Sequence, residues 1–275
     1  MVSKTNDIKK SIRNRFSYLN HRTKNRIIRF LIQSYKDQVL HILQEETHIH
    51  KSISLLDNLV NENCLSEDFI LVDIGANIGD VSIEFAKKWP GKKVICFEPL
   101  HDSFLELKGR IKLLKNISAY ELAIGNRKTS GLLHITELRK SSSLLELNIE
   151  SFNKLTSYLS SILAPSLVEV VAIDTLDNIL NQSNSDLIGI MKIDVQGGEL
   201  MVLRGAVTAL ERTAIIVIEM SNHDNYLGNA KYFELDEELR NNGFELFDLI
   251  PSLWNHNKIY EWNSIYTNNR LVNSL

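Results

Sequence analysis

The feature that most limits what this chain can fold into is a series of short apolar runs rich in Ile and Val. They are Phe69-Ile70-Leu71-Val72, Val94-Ile95-Cys96-Phe97, Ile117 to Leu122, Ile188 to Ile193 and Ala214 to Ile218. Runs this continuous leave no polar face for water, so they suit strands buried on both sides of a parallel sheet. Segments of helical periodicity, Val81 to Lys88 and His101 to Leu114, separate the first three runs. Strand, helix, strand, helix predicts a doubly wound, mostly parallel α/β sheet. Residues 125–172 break the rhythm. Leu132 to Thr136, a serine cluster at Ser141, Ser142 and Ser143, and Val168 to Ile173 read as an inserted hairpin or small subsheet. Near the end, a helix over Tyr232 to Asn241 precedes strands at Phe244 to Leu249 and Ile259 to Tyr266. Pro251 to Lys258 reads as a loop between them, which argues against a tight hairpin.

The first 36 residues differ in kind. They hold ten Lys or Arg against Asp7 alone, with Ile8, Ile12, Phe16 and Leu19 at helical spacing. Residues 1–60 are therefore expected to be a basic helical extension, and 61–275 the main domain. The basic face is either simply solvated or a contact surface for an acidic acceptor, a membrane or a partner. A length of 275 residues fits one large domain with an appendage, or at most two small ones, and a net charge of -3 gives no global case for nucleic acid. Cys64 and Cys96 have neither zinc spacing nor disulfide density. With no apolar stretch long enough to span a bilayer and no secretory signal, a cytoplasmic location is expected.

The most informative segment is Val72-Asp73-Ile74-Gly75-Ala76-Asn77-Ile78-Gly79-Asp80, where the first strand should end and the first helix begin. Ligands of open α/β sheets bind at such strand ends, and glycines there let the backbone turn and approach the ligand. A dinucleotide would require G-x-G-x-x-G, but only Gly75 and Gly79 are glycine, with Asn77 between them. Asp73 at the loop entrance would also repel a pyrophosphate. An NAD-dependent oxidoreductase is thus disfavoured. S-adenosylmethionine has no phosphate and carries an ammonium and a sulfonium, which suit Asp73. Glu98, at the end of the second run, is placed to accept from ribose hydroxyls. The bland reading makes Asp73 a helix cap and Glu98 a surface strand end.

Further along, Lys192-Ile193-Asp194-Val195-Gln196-Gly197-Gly198-Glu199 leaves a buried run and enters a helix closing at Gly205, and Ile218-Glu219-Met220-Ser221-Asn222-His223 ends the next run. These stretches, together with Asp73 to Gly79, Phe97-Glu98-Pro99, Asp174-Thr175-Leu176-Asp177 and Leu203-Arg204-Gly205-Ala206, resemble the FkbM family of methyltransferases over residues 69 to 221. The resemblance implies a Rossmann-like class I methyltransferase fold, S-adenosylmethionine as donor, and usually an oxygen acceptor on a macrolide, glycan or other small metabolite.

Asp194 is the first candidate for a base or acceptor-hydroxyl orienter, against a helix N-cap role. Glu219 is its expected partner. Two close carboxylates can raise one another's proton affinity or hold a divalent cation. Lys192, two residues before Asp194 on a strand, shares its face, and His223 is a further basic candidate. Ala123 and Ser142 are counted with Asp73, Gly75, Asn77, Gly79 and Glu98 as cofactor-binding positions, although a flexible polar loop is the other reading of the serines. Tyr226 and Trp254 are either acceptor-facing aromatics or core residues. His48 and His50 lack the spacing for one helix face and a third ligand. A small-molecule or glycan acceptor is the expected partner. The alternatives are a non-catalytic methyltransferase-like binding module and a nucleic-acid methyltransferase using the basic segment, the latter weakened by the lack of stacking aromatics there.

Overall fold

The computed structural model describes residues 50–59, 68–136, 141–151, 167–180, 187–255 and 258–272. The basic segment, His48 and Cys64 lie outside these residues, as does the side chain of Trp254. One compact unit spans His48–Leu275.

Its centre is a seven-stranded sheet built from β1 (Phe69–Ile74), β2 (Val94–Phe97), β3 (Ile117–Tyr120), β7 (Leu187–Ile193), β8 (Thr213–Ser221), β9 (Phe244–Asn255) and β10 (Lys258–Asn268), in the order β3-β2-β1-β7-β8-β10-β9. The pairs from β3 to β8 are parallel, and β10 runs antiparallel to both β8 and β9. Every residue of β1 is buried, as its unbroken apolar run requires. Alternation along the strand sends Ile70, Val72 and Ile74 into one core and Phe69 and Leu71 into another. The first core is covered by α4 (Leu176–Leu180), α5 (Glu199–Arg204), α6 (Val207–Glu211) and α7 (Tyr232–Asn241), which contribute Leu176, Val202, Leu210 and Leu239. The second is covered by α1 (residues 50–59) and α2 (Asp80–Lys88), through Ile53, Leu56, Leu59 and Phe85. Helices on both faces are what makes the sheet doubly wound. A remaining helix, α3 (His101–Arg110), buries Leu107 against Ile83 and Cys96.

The inserted segment forms its own sheet, β4 (Ala123–Ile124), β6 (Leu167–Asp174) and β5 (Thr129–Ile135), in which β5 and β6 are antiparallel. Two expectations change. The run Ile117 to Leu122 is not one strand. β3 stops at Tyr120, and Ala123 already belongs to the small sheet. As an edge strand, β3 is only partly buried and has no neighbour to hold it in register further. The segment Pro251 to Lys258 is also not a long loop, since β9 continues to Asn255 and β10 begins at Lys258. Proline is tolerated there because β9 is the outer strand and the register shifts beside the Pro251–Trp262 pair.

Candidate active site

The tips of β1, β2, β7 and β8 converge. Gly75 (φ +85) and Gly79 (φ +87) take left-handed conformations, as does Asn77 (φ 48), a residue type that tolerates them. At Gly75 the constraint is also steric. A Cβ there would lie 1.8 Å from the Asp194 carbonyl oxygen, whose own N–H donates to the Ile74 carbonyl at 3.0 Å. The glycine loop and the Asp194 loop are therefore in direct backbone contact.

Asp73 lies beneath the glycine loop with no exposure. Its Oδ2 accepts from Ser82 Oγ at 2.6 Å, and its Oδ1 has no partner among the described residues. Desolvation pushes its pKa up, against the attraction of Lys192, its cross-strand neighbour. Glu98 is also buried. One of its oxygens accepts the Asn77 N–H and the other the Leu100 N–H, both at 2.8 Å. Burial raises its pKa to about 7, with those two N–H groups acting in the opposite direction. Ala123 is buried in a cluster with Leu100 and Leu133. Ser142 places a buried Oγ without a partner among the described residues, and its neighbour Ser143 donates to the Gln196 carbonyl at 2.6 Å.

Asp194 does not cap a helix, because α5 starts at Glu199 with Gly198 as its N-cap. Lys192 Nζ donates to Asp194 Oδ2 at 3.0 Å and Gln196 Nε2 to Asp194 Oδ1 at 3.0 Å. The same Gln196 amide donates to Glu219 Oε2 at 2.8 Å, while its oxygen accepts from the Tyr226 hydroxyl at 2.9 Å. Asp194 and Glu219 are thus brought together as expected, but through an amide. Among the described residues no group of three His, Cys, Asp or Glu is placed to hold a metal ion. His223 stacks its ring on Tyr260 at 3.8 Å between centroids.

The sequence did not single out the residues that complete this site. Gln196 takes a positive φ of 56 to reach both carboxylates. Glu199 accepts the Val195 and Gly197 N–H groups, which shapes the loop, and burial lifts its pKa to about 7. Glu261 enters from β10, opposite Ser221, and takes a hydrogen bond from Asn225. Burial first, and then the repulsion of Asp194, raises its pKa to about 7, and burial pushes Glu219 well above the usual carboxylate range. Gln196 and Glu199 lie within the motif already noted. Glu261 had no local signal, since only the register of the β9–β10 hairpin places it. These residues, with Tyr226, line a small cavity of ≈ 20 Å³ at the tips of β7, β8 and β10.

A buried acid with an unpartnered oxygen, a close-approach glycine loop and an acidic strand tip beside it form a fitting cradle for a cationic nucleoside such as S-adenosylmethionine. The FkbM methyltransferase domain matches residues 73–246. Methyltransferase 1 of Beauveria bassiana is 24% identical over 169 residues, 58% of this chain and 67% of that protein. The 2-O-methyltransferase NoeI of Sinorhizobium fredii is 24% identical over 188 residues, 67% of this chain and 72% of that protein. Among solved structures, an rRNA methylase from Streptococcus thermophilus is 13% identical with a TM-score of 0.42, covering 80% of this chain and 95% of that one. M. capricolum TrmK with S-adenosylhomocysteine is 7% identical with a TM-score of 0.42, covering 81% of this chain and 68% of that one. This chain belongs to the FkbM methyltransferase family and is an S-adenosylmethionine-dependent methyltransferase with a class I α/β fold.

Proposed function

We propose that this protein methylates a hydroxyl group on a sugar or another small hydroxylated metabolite. The observation that carries the reading is the hydrogen-bonding lining of the cavity beyond Asp194: Gln196, Glu199, Glu219, Asn225, Tyr226 and Glu261. Such a set matches one polar group of an acceptor that carries several, whereas a flat apolar acceptor would leave these side chains unpaired. The likeness to a protein named as a 2-O-methyltransferase supports the same acceptor atom.

When bound, S-adenosylmethionine supplies a methyl group activated on a sulfonium. The chain's own residues bind, orient and exclude water. Glu98 accepts from the ribose hydroxyls through the lone pairs its two backbone partners leave free. Gly75, Asn77 and Gly79 let the main chain approach, Asp73 lies below it with one carboxyl oxygen unpartnered among the described residues, and Ala123 and Ser142 contribute to the wall. Asp194 accepts the hydrogen of the acceptor hydroxyl, and Lys192 and Gln196 hold its carboxylate in place. Glu219 keeps Gln196 oriented. His223 lies beyond this set, on Tyr260.

Isothermal titration with S-adenosylhomocysteine, with NAD as the control, tests the cofactor half. Release of S-adenosylhomocysteine across a panel of sugars and hydroxylated metabolites tests the acceptor half. Turnover confined to nucleic acid or to amine nitrogens would remove the hydroxyl reading.

A further inference from the structure

The cavity beyond Asp194 has a one-sided chemistry that the reaction itself does not require. Its donors are already used. Gln196 Nε2 donates to Asp194 and Glu219, the Tyr226 hydroxyl faces Gln196 Oε1 and the Ser141 carbonyl, and Asn225 Nδ2 donates to Glu261 and Ser221. What is left over is acceptors. Asn225 is 5% exposed, and its Oδ1 is buried without a partner among the described residues. The amide cannot be turned to hide that oxygen without setting it against the Glu261 carboxylate. Glu219 and Glu261 each use one oxygen for an amide, and among the described residues nothing donates to the other. Among the described residues no Lys, Arg or His lines the cavity.

With both carboxylates ionised, an occupant that brings hydrogens and no lone pair fits this set best. A water brings two hydrogens and two lone pairs, and a hydroxyl brings one hydrogen. A primary ammonium brings three donors, no acceptor and a compensating charge. The volume of ≈ 20 Å³ holds about one water-sized group, which is the size of an ammonium head and far smaller than a sugar ring.

We propose that this cavity is a subsite for a protonated primary amine carried by the methyl acceptor, so that the compound methylated is an amino sugar or a comparable amino alcohol. The proposal rests on the hydroxyl-methylation reading for the atom modified, and adds the group that selects the compound. Glu219 on β8 and Glu261 on β10 line the same cavity, Glu261 standing opposite Ser221 two residues beyond Glu219, with Glu199 at the start of α5 and Asp194, engaged by Lys192, after β7. With no amine present, burial first, and then the repulsion of neighbouring carboxylates, favours retaining protons on Glu219 and Glu261, and an entering ammonium takes the place of one such proton, which leaves to solvent.

The test uses full-length protein saturated with S-adenosylhomocysteine, so that the donor site cannot itself take up the probe. Thermal unfolding is followed in about 100 mM methylammonium chloride, tetramethylammonium chloride or sodium chloride. Tetramethylammonium has the charge without the donors, and sodium controls for ionic strength. Methylammonium is expected to raise the melting temperature by about 2–4 °C above both controls, and Glu261→Gln is expected to erase that difference. If Glu261→Gln does not fold, Glu219→Gln gives the same reading. Equal shifts in all three salts, or a methylammonium shift that persists in the folded variants, overturns the proposal. A second arm compares matched acceptors with a free or an N-acetylated amine, with at least about tenfold higher kcat/KM expected for the free amine. Methylammonium stabilisation without hydroxyl turnover keeps the subsite and removes the O-methylation reading. Turnover of neutral sugars with no methylammonium effect does the reverse.

Discussion

Asp73 and Glu98 end neighbouring parallel strands, yet their surroundings assign them different work. Asp73 is sealed under its loop and bonded to Ser82, whereas Glu98 accepts two loop N–H groups and can accept more. Glu98→Gln replaces one acceptor oxygen with a donor that must face a backbone N–H. The expected loss is about 1.4 kcal/mol or more of cofactor affinity, a tenfold rise in the S-adenosylhomocysteine Kd by calorimetry, with the fold retained. An unchanged Kd would take Glu98 out of ribose binding. Asp194→Asn keeps the side-chain shape but turns one acceptor into a donor towards Lys192 or Gln196. It is expected to lower kcat by about 10²-fold or more while the S-adenosylhomocysteine Kd stays within a few-fold. Full activity in this variant would exclude Asp194 as the group that receives the hydroxyl proton.

The glycine loop and the Asp194 loop meet through backbone, which makes glycine the sensitive residue type there. At Gly75 an added Cβ meets the Asp194 carbonyl at 1.8 Å and the φ is +85, so both sterics and conformation oppose it. At Gly205 the φ is an ordinary -95, and the constraint is purely contact: a Cβ would lie 1.9 Å from the Gly125 carbonyl, where the small sheet adjoins α5. Its position after a helix suggested a conformational role, but packing decides it. Gly91 has nothing within 4 Å and serves as the control. Gly75→Ala is expected to cost more than about 3 kcal/mol or to prevent folding, and Gly91→Ala to change stability by less than about 0.5 kcal/mol, as read by urea denaturation. A Gly75→Ala protein of native stability would mean that the β1 and β7 tips can separate freely.

For the whole molecule, the buried glutamates make stability depend on pH in an unusual direction. Glu98, Glu199 and Glu261 each have a pKa raised from 4.5 to about 7. A carboxyl that folding makes harder to ionise favours the folded state in acid. Its contribution is complete below pH 4.5 and is lost as pH rises to about 7. A full shift corresponds to on the order of 3 kcal/mol for a group as buried as Glu98 or Glu199. Asp174 and Asp236 are shifted downward by their hydrogen-bond partners and act in the opposite sense, only below their ordinary range near 3.8. The ligand-free protein is therefore expected to be more stable near pH 5 than near pH 8, and Glu261→Gln to flatten that slope. A melting temperature that rises from pH 5 to pH 8 would contradict the buried-carboxylate picture.

The order of apolar runs and helical segments sufficed to predict a doubly wound parallel sheet, because burial on both faces writes itself into local composition. The loop from Asp73 to Gly79, Glu98 and the Lys192 to Glu199 stretch were legible for the same reason: each lies at a strand end whose position the apolar run announces. Three things were decided only by tertiary structure. The Pro251 segment became part of an edge strand because its neighbour supplies the pairing on one side alone. Gln196 became the link between Asp194 and Glu219 because β7 and β8 stand side by side, a proximity between residues 23 positions apart. Glu261 entered the site because the antiparallel β10 slots between β8 and β9, and the partners of a buried carboxylate depend on that register rather than on its flanking sequence.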